Sequence, residues 1–498
     1  MLIKTFKPND WVGQRIKPEQ IHKYMPMARD FVPQAEISAK LSDSKEPGLK
    51  EVKDILAKSL AIQTLTVDET ATLLKVKASQ AWELMQETAL KVKKKVYDNR
   101  IVTFAPLYLG NHCVNDCLYC GFRSSNGEAK RQVLTSDQIQ SETKVLAGTI
   151  GHKRLITVYG EHPLNDINYI CDSIRTIYQV KEKTKKGFAQ IRRVNVNAAP
   201  LSIEELRLLK AAGIGTYQVF QETYHKTTYK QVHPPQTIKG NYFWRLYSMH
   251  RAFEAGIDDV GLGVLFGLYD WRFEVMGLVA HNRELETVFG VGAHTISFPR
   301  LEPAENVPFT SNSKYKVSDE DFKKIITVIR LAVPHTGMII TCRETPQIKR
   351  DSIALGITQT DASTKIGIGS YSNREFGQDG LKQQFILADT RSLDEMIREF
   401  AHIGVITSFC TAGYRCGRTG GCIMDLLKTG AEGKFCKLNA VLTFREWLDD
   451  FASPETKQAA EKVIEQEISE IKKILPKTFP QFNEYYQRIK NGERDLYF

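Results

Sequence analysis

Residues 100–120 read RIVTFAPLYLGNHCVNDCLYC, an apolar run that leads directly into three closely spaced cysteines. The β-branched and aromatic residues at 100–109 predict a buried β-strand. Cys113, Cys117 and Cys120 follow it as C-x3-C-x2-C, on the loop at the carboxyl end of that strand. Parallel α/β barrels carry their chemistry at this end of the strands. The stretch therefore predicts an α/β protein with reactive thiols at one face.

Seven further short apolar or β-branched runs alternate with amphipathic helical stretches. Eight strands alternating with helices over roughly 300 residues predict an α/β protein with a (β/α)8 TIM-type barrel at residues 99–404. A doubly wound parallel sheet is the alternative. Residues 1–98 are interpreted as an N-terminal helical extension, and residues 405–498 as a cysteine-rich C-terminal helical domain. The other predicted strands are 155–159, 193–197, 215–220, 259–265, 294–298, 338–342 and 356–360.

The composition is that of a globular protein: 498 residues, 42% hydrophobic and 25% charged. No run approaches about 18 uncharged apolar residues, which predicts no membrane partner. Residues 1–4 lead into polar sequence without a signal-like apolar core, so we expect a cytoplasmic protein. Nine cysteines are too sparse for a disulfide scaffold and in a reducing compartment indicate metal binding or catalysis.

The net charge of +10 is spread along the chain. Its densest lysine runs, at 91–95 and 181–186, lie beside helical patterns. We interpret both runs as solvated helix faces rather than a nucleic-acid surface. The sequence thus predicts no nucleic-acid partner.

Three thiolates on one loop can hold three irons of a [4Fe–4S] cluster and leave the fourth iron open to another ligand. A closed zinc site is the alternative, but it usually needs four ligands from paired C-x2-C elements. The single short loop, with an aromatic residue before its last cysteine, favours the iron–sulfur cluster.

This spacing, with Tyr119 before the third cysteine, resembles the signature of the radical S-adenosylmethionine enzymes. The resemblance implies that the open iron binds S-adenosylmethionine and that a 5′-deoxyadenosyl radical is formed from it. Gly160 and Glu161 resemble the superfamily's "GE" motif, whose backbone meets the methionyl amine. Gly261 and Gly263 resemble its glycine-rich fifth strand, where the backbone approaches the adenine.

Longer stretches at 218–225, 255–270, 294–300 and 342–345 resemble the aromatic amino acid lyases of this superfamily, the HydG/ThiH group, over roughly residues 50–455. The resemblance is strongest to the tyrosine lyases of [FeFe]-hydrogenase maturation. It implies cleavage of the tyrosine Cα–Cβ bond to a p-cresol precursor and dehydroglycine, and onward formation of carbon monoxide and cyanide at a second cluster. It also implies a reductant such as flavodoxin or ferredoxin and hydrogenase-maturation partner proteins.

Candidate catalytic residues follow from this resemblance. A tyrosine carboxylate calls for a guanidinium fork, and Arg343 at the end of the seventh predicted strand stands at the family's position for it. An arginine that pairs with a barrel carboxylate is the alternative. Glu222, Tyr224 and His225 follow the fourth strand and are candidates for ribose or substrate contacts.

The tail holds four cysteines, at Cys410, Cys416, Cys422 and Cys436. The family carries an auxiliary iron–sulfur cluster here on a C-x2-C pair and a distant cysteine, but Gly413 occupies the second position of that pair. All four cysteines could close a [4Fe–4S] cluster, or three could bind while the fourth bridges to a further iron. A zinc knuckle is the alternative.

His294 is the family's candidate ligand for an extra iron on that cluster, against a core or surface histidine as the alternative. It begins the sixth predicted strand, at the amino-terminal mouth of the barrel and opposite to the first cysteine loop. We therefore expect two reactive centres at opposite mouths, with the lumen as a conduit for small products. Cys171 and Cys342 are interpreted as packing cysteines.

The sequence supports three alternative hypotheses for the function of the chain. The main hypothesis is a tyrosine lyase with a variant auxiliary cluster. The second is a lyase of the 2-iminoacetate (dehydroglycine) synthase type, without carbon monoxide or cyanide formation and with a structural or electron-relaying tail cluster. The third is a non-catalytic iron–sulfur scaffold or carrier, which would leave the S-adenosylmethionine motifs and Arg343 without a purpose.

Overall fold

The computed structural model describes residues 8–25, 30–373, 377–429 and 431–498. Eight parallel strands form a closed barrel, because the first strand, Arg100–Gly110, pairs with both the second, Arg154–Tyr159, and the eighth, Gln359–Asp361. The register at the closure places Val102 opposite Gln359 and Phe104 opposite Asp361. The strands are β1 Arg100–Gly110, β2 Arg154–Tyr159, β3 Arg193–Asn197, β4 Tyr217–Gln218, β5 Val260–Gly263, β6 Thr295–Ser297, β7 Gly337–Ile340 and β8 Gln359–Asp361. The predicted (β/α)8 barrel is confirmed.

Helices surround the barrel on its outer side. Capping boxes begin several of them, as at Thr135 and Ser202, where the side chain accepts from the third helical N–H. The helices of the barrel region are Ser136–Lys144, continued by a π-helical turn at Val145–Ile150, then Ile167–Gln179, Ile203–Ala211, Lys226–Val232, Tyr242–Leu246, Ser248–Glu254, Trp271–Phe289, Pro308–Asn312, Asp319–Ala332, Pro346–Ile353 and Leu393–His402. Short 3-10 turns lie at Pro163–Asn165, Ile238–Gly240 and Gly380–Lys382.

The N-terminal region is helical, as the sequence predicts. Its buried side chains, among them Ile37, Val52 and Leu65, belong to the same hydrophobic cluster as the barrel core. This extension therefore packs as an outer layer of the barrel. Its helices are Pro8–Arg15, Glu19–His22, Gln34–Ser42, Leu49–Leu60, Val67–Leu74 and Ser79–Tyr97.

The C-terminal region adds a ninth strand, β9 Ile406–Ser408, which pairs in parallel with the first residues of β1. Its helices are Ala412–Arg415, Gly420–Thr429, Ala431–Asp450, Pro454–Ile474 and Phe479–Lys490. Met396 and Phe400 share a hydrophobic cluster with Phe444 and Trp447 of these helices, so the predicted boundary at residue 404 divides a packed core. The domain boundaries stay predictions.

The two lysine runs differ from the prediction of solvated helix faces. Lys181–Lys183 is a strand, paired in an antiparallel hairpin with Phe188–Gln190. In the run at 91–95, which does lie on a helix, Lys93 is buried against the barrel. Among the described residues, no helix is long and apolar enough to cross a membrane.

A buried ion-pair triad joins the tail to the barrel. Glu446 of the helix Ala431–Asp450 lies 2.9 Å from the Lys153 ammonium and 2.8 Å from the Arg192 guanidinium, and all three side chains are almost fully buried. Burial alone would raise the pKa of Glu446, but the charges of Arg192 and Lys153 outweigh it and lower the pKa from 4.5 to about 2. The carboxylate is therefore ionised in the folded protein at neutral pH.

We predict that Glu446→Gln destabilises the protein by about 3–5 kcal/mol at neutral pH, because the buried Lys153 loses its carboxylate partner and Arg192 loses one of two. The second partner of Arg192, Asp495 at 3.0 Å, remains. A depressed folded-state pKa gives stability that is complete above about pH 4.5 and lost as the pH falls toward 2. The difference between wild type and variant should therefore shrink in that range. Anaerobic guanidinium denaturation followed by circular dichroism measures it.

The matched control is Glu484→Gln, whose carboxylate pairs with Arg488 on the surface. This variant should lose less than about 1 kcal/mol. Equal losses in both variants would contradict a stabilising role for the buried triad.

Candidate active site

A cavity of about 200 Å³ opens at the carboxyl-terminal mouth of the barrel. Strands β1 to β4 and β6 to β8 contribute to its walls, together with the loops that follow them. Seven sequence-predicted site residues line the cavity and thus meet in one place: Cys113, Cys117, Cys120, Gly160, Glu161, Glu222 and Arg343.

The cysteine loop is held by a side chain that the sequence analysis missed. Arg131 donates from Nη1 to the carbonyls of Asn111 and Phe122, at 2.7 and 2.8 Å, and from Nη2 to the carbonyl of Arg123 at 2.7 Å. Its fork thus ties the two ends of the loop together. An arginine eleven residues beyond the last cysteine carries no spacing signal that could have revealed this role.

Burial raises the pKa of the Cys113 and Cys117 thiols to about 11. Both thiols are therefore protonated at neutral pH when no metal is bound, and metal binding has to release these protons. Gln384 donates to the Cys120 sulfur at 3.4 Å. The loop thus offers three thiols to one cavity, with an amide donor at one of them.

Asn115, inside the C-x3-C segment, connects the cysteine loop to Glu161. Its Nδ2 donates to Glu161 Oε2 at 2.6 Å and contacts the Cys113 sulfur at 3.8 Å, and its Oδ1 accepts from the Lys239 N–H at 2.9 Å. The other Glu161 oxygen, Oε1, is buried and has no hydrogen-bond partner among the described residues. Burial raises the pKa of Glu161. An unpaired acceptor therefore lies beside the cysteines.

Gly160 allows the loops after β1 and β2 to touch. A Cβ atom at this position would lie 2.2 Å from the His112 carbonyl oxygen, closer than any real contact. The Gly160 N–H donates to the Gly110 carbonyl at 2.8 Å, and Asn165 donates to the Gly160 carbonyl at 2.8 Å. The absence of a side chain therefore holds Glu161 next to the cysteine loop.

Glu222 sits in a left-handed backbone conformation, with φ of 71°. Its carboxylate lies 2.7 Å from the Lys239 ammonium and 3.4 Å from the Arg245 guanidinium. Burial would raise the pKa of Glu222, but these two cations outweigh it and hold the pKa below its usual value. Lys239 and Arg245 also line the cavity and were missed in the sequence, since both come from the helical segment between β4 and β5.

Arg343 stacks on the Phe385 ring, with Cζ 3.2 Å from the ring centroid. One nitrogen, Nη1, donates to the Arg300 carbonyl at 3.4 Å. Burial lowers its pKa, and no carboxylate among the described side chains forms an ion pair with it. The neighbouring Arg300, rather than Arg343, pairs with the barrel carboxylate Glu344. Arg343 therefore lines the cavity with guanidinium N–H groups that are available to a ligand.

Two predicted contacts are not brought to the cavity. Tyr224 is fully buried on the outer side of the barrel, where its hydroxyl meets His281 Nδ1 at 2.9 Å and its ring packs on Gly277. His225 caps the helix Lys226–Val232 and stacks on Tyr269 at 3.8 Å. Neither lines the cavity in this structure, and their contact with ribose or substrate stays a prediction.

The glycines of β5 leave space for the side chains of Gln218 and Phe220. A Cβ at Gly261 would meet Gln218 at 2.6 Å, and one at Gly263 would meet the Phe220 ring at 2.3 Å. Gln218 and Phe220 line the cavity, whereas Gly261 and Gly263 do not. These two glycines make room for side chains at and just after the end of β4, and the predicted contact of their backbone with adenine stays a prediction.

The tail residues lie at the opposite, amino-terminal mouth. Tyr414 stacks on Arg193 at the start of β3, 3.3 Å from Cζ to the ring centroid, and its ring lies 6.3 Å from that of His294. Cys410 follows β9 and is half-buried, as is Cys436. Cys416 and Cys422 are exposed. In the described part of the chain, no three His, Cys, Asp or Glu side chains converge as a site for a single metal ion.

The packing cysteines are buried, as predicted. Cys342 has no exposed surface and lies 3.2 Å from the Lys349 ammonium, and Cys171 lies in the helix Ile167–Gln179.

The residues of the cavity fit a thiolate-bound cluster and a ligand with amine and carboxylate groups. Three thiols, the unpaired Glu161 oxygen and the space kept open at Gly160 lie side by side there.

Comparisons with known proteins agree with this arrangement. Residues 107–276 match the model of the Radical SAM superfamily, and residues 297–406 match the Biotin and Thiamin Synthesis associated domain. The 2-iminoacetate synthase of Salmonella typhimurium is 32% identical over 314 residues, which span 62% of this chain and 78% of the relative.

Two solved structures resemble the whole chain. A HydG described as a maturase of the [FeFe]-hydrogenase is 44% identical with a TM-score of 0.89, and the match covers 94% of this chain and 100% of that one. HydG from Carboxydothermus hydrogenoformans is 32% identical with a TM-score of 0.75 and coverages of 96% and 100%. The chain belongs to the radical S-adenosylmethionine superfamily and, within it, to the lyases of the HydG and 2-iminoacetate synthase group.

Proposed function

We propose that the chain is a cytoplasmic lyase that cleaves the Cα–Cβ bond of tyrosine and releases p-cresol and dehydroglycine. The observation that carries this proposal is the unpaired guanidinium of Arg343, which faces the same cavity as the three cysteines. A guanidinium binds a carboxylate through two parallel hydrogen bonds. Arg343 is thus proposed to fix the carboxylate of an amino acid substrate.

The cavity floor supports an aromatic substrate. Phe104, Ile156 and Ile339 form a small apolar cluster from β1, β2 and β7 in the lumen below the cysteine loop. An aromatic side chain gains free energy by burial against such a surface. With the carboxylate on Arg343, the rest of the substrate can occupy the cavity between this floor and the cysteines.

Members of this superfamily bind a [4Fe–4S] cluster and S-adenosylmethionine, which together supply a 5′-deoxyadenosyl radical that abstracts a hydrogen atom. The chain's own residues bind and orient the cluster and the cofactor. We propose that Cys113, Cys117 and Cys120 hold the cluster, and that Gly160 and Glu161 meet the methionyl amine. Glu222, fixed by Lys239 and Arg245, is proposed to accept hydrogen bonds from the cofactor's ribose. A one-electron donor such as flavodoxin or ferredoxin is the proposed reductant.

We further propose a second iron–sulfur group in the tail, with Cys410 and Cys436 among its ligands and Cys416, Cys422 and His294 as candidates for the others. Arg154 supports an anionic group here, since all three of its guanidinium nitrogens are buried without a hydrogen-bond partner. Onward formation of carbon monoxide and cyanide for hydrogenase maturation would take place at this second group, with maturation proteins as partners.

A lyase that stops at dehydroglycine is the second candidate. The exposure of Cys416 and Cys422 favours it, because neither thiol is packed into a preformed site. The 32% identity to a 2-iminoacetate synthase is in line with it. A non-catalytic iron–sulfur scaffold gives no role to the substrate-sized cavity or to Arg343.

We predict that the anaerobically reconstituted protein, given S-adenosylmethionine, dithionite and tyrosine, forms 5′-deoxyadenosine and p-cresol. Liquid chromatography measures both products, and a haemoglobin assay detects carbon monoxide. Iron analysis should give about eight or nine irons per chain if both groups form, or about four with one zinc if the tail is a zinc knuckle. p-Cresol without carbon monoxide or cyanide would select the second candidate, and absence of 5′-deoxyadenosine would contradict both enzymes.

We predict that Arg343→Met weakens tyrosine binding roughly 10- to 100-fold, because a buried charge-assisted contact contributes about 1.5–3 kcal/mol. Arg343→Lys should recover only part of the loss, since an ammonium cannot form the two parallel bonds. The KM for tyrosine in p-cresol formation measures it. The affinity for S-adenosylmethionine should be unchanged in both variants, and an unchanged KM in Arg343→Met would exclude a carboxylate contact.

We predict that Gly160→Ala weakens S-adenosylmethionine binding at least about tenfold, because its methyl group forces the His112 carbonyl and Glu161 apart. Equilibrium binding to the reconstituted protein measures the affinity. Gly127→Ala is the control, since a Cβ there meets nothing within 4 Å. Equal affinity in the two variants would show that the close approach at Gly160 has no part in cofactor binding.

A further inference from the structure

Buried cations gather where β1 begins, at the amino-terminal mouth. Arg100 is 4% exposed, Lys93 is 2% exposed and Arg330 is fully buried. Arg100 and Arg330 both face the Tyr97 ring, 5.7 and 5.6 Å from its centroid. Burial, followed by the charges of Arg100 and Arg330, lowers the pKa of Lys93 to about 8. Three buried cations therefore lie close together at this end of β1.

Arg330 and Arg100 differ in how their charge is satisfied. The Arg330 guanidinium donates to the carbonyls of Gly356, Pro334 and Thr336 at 2.8–3.1 Å. Arg100, in contrast, has a buried Nη1 without a hydrogen-bond partner among the described residues. A buried guanidinium nitrogen without an acceptor is costly unless an anion lies nearby.

Two cysteine-bearing segments meet at Arg100. Arg100 is in register with Ile406 of β9, and Cys410 follows the end of β9 by two residues. On the other side, the Lys437 ammonium lies 2.8 Å from Asp98, which places the neighbouring Cys436 next to the start of β1. Burial would lower the pKa of Arg100, but the neighbouring Cys436, Cys410, Asp98 and Tyr97 raise it.

We propose that Arg100 sets the reduction potential of the iron–sulfur group held by Cys410 and Cys436. The inference rests on the second group of the proposed function, and it makes Arg100 a positioning residue for charge rather than a ligand. On reduction one electron enters the group, no bond breaks, and its net charge becomes more negative by one. A buried cation beside it favours the reduced form and so raises the potential.

The test is an anaerobic redox titration with dithionite and mediators, followed by electron paramagnetic resonance of the full-length reconstituted protein. Adding S-adenosylmethionine identifies the signal of the first cluster. Arg100→Gln should shift the midpoint of the second group to a more negative potential, and Arg100→Lys should restore most of it. The midpoint of the first cluster should stay unchanged in both variants.

Lys91→Gln is the matched control, because it removes a charge from the helix Ser79–Tyr97, which carries Lys93, at a position where the side chain is 63% exposed. It should leave both midpoints in place. An unchanged second midpoint in Arg100→Gln overturns the inference, as does an equal shift in Lys91→Gln.

Iron analysis separates failure of the inference from failure of the proposed function. A wild-type protein with about four irons and one cluster signal overturns the proposed second group and the inference together, whereas about eight irons with an unshifted Arg100→Gln midpoint overturns the inference alone. If Arg100→Gln loses the second group and Arg100→Lys keeps it, the positive charge is needed and the inference is supported. Loss in both variants, with the first cluster intact, overturns it.

Discussion

The pairing of strand β1 with three neighbours is the constraint on which both ends of the molecule depend. β1 pairs with β9 through Arg100–Val102, with β8 through Val102–Phe104 and with β2 from Ala105 onward. These contacts close the barrel and attach the tail to it. Because the same strand ends at the cysteine loop and begins at Arg100, its register fixes the first thiols at one mouth and the tail cysteines at the other.

The sequence predicted the barrel, the cysteine loop and the place of Arg343, because each has a local signal. Strands and helices are recognised by the period of their apolar residues, and the cysteine loop is recognised by its C-x3-C-x2-C spacing. Arg131, Lys239 and Arg245 have none, since they act on residues 8 to 23 positions away through loops. Side chains that reach back from irregular segments can be placed only by the folded backbone.

The position of Tyr224 outside the cavity has a specific physical cause. Residues 222 and 224 would face the same side of an extended strand, because side chains alternate with a period of two. The left-handed φ of 71° at Glu222 breaks this alternation. The Glu274 carboxylate then accepts from the Tyr224 N–H at 2.8 Å and from the Thr223 hydroxyl, which holds the turn. Glu222 therefore enters the cavity, and Tyr224 packs on the outer side of the barrel.

Each mouth of the barrel has buried cations that could bind an anion. At the carboxyl-terminal mouth, Lys239 and Arg245 both pair with Glu222, whereas Arg343 has no carboxylate partner among the described residues and can receive an anion. At the amino-terminal mouth, Arg100 and Arg154 carry buried nitrogens without acceptors among the described residues. The apolar floor from β1, β2 and β7 lies between these two groups of charges. Because it excludes polar contacts between them, a substrate carboxylate at one mouth and an iron–sulfur group at the other can each be recognised by a separate set of cations.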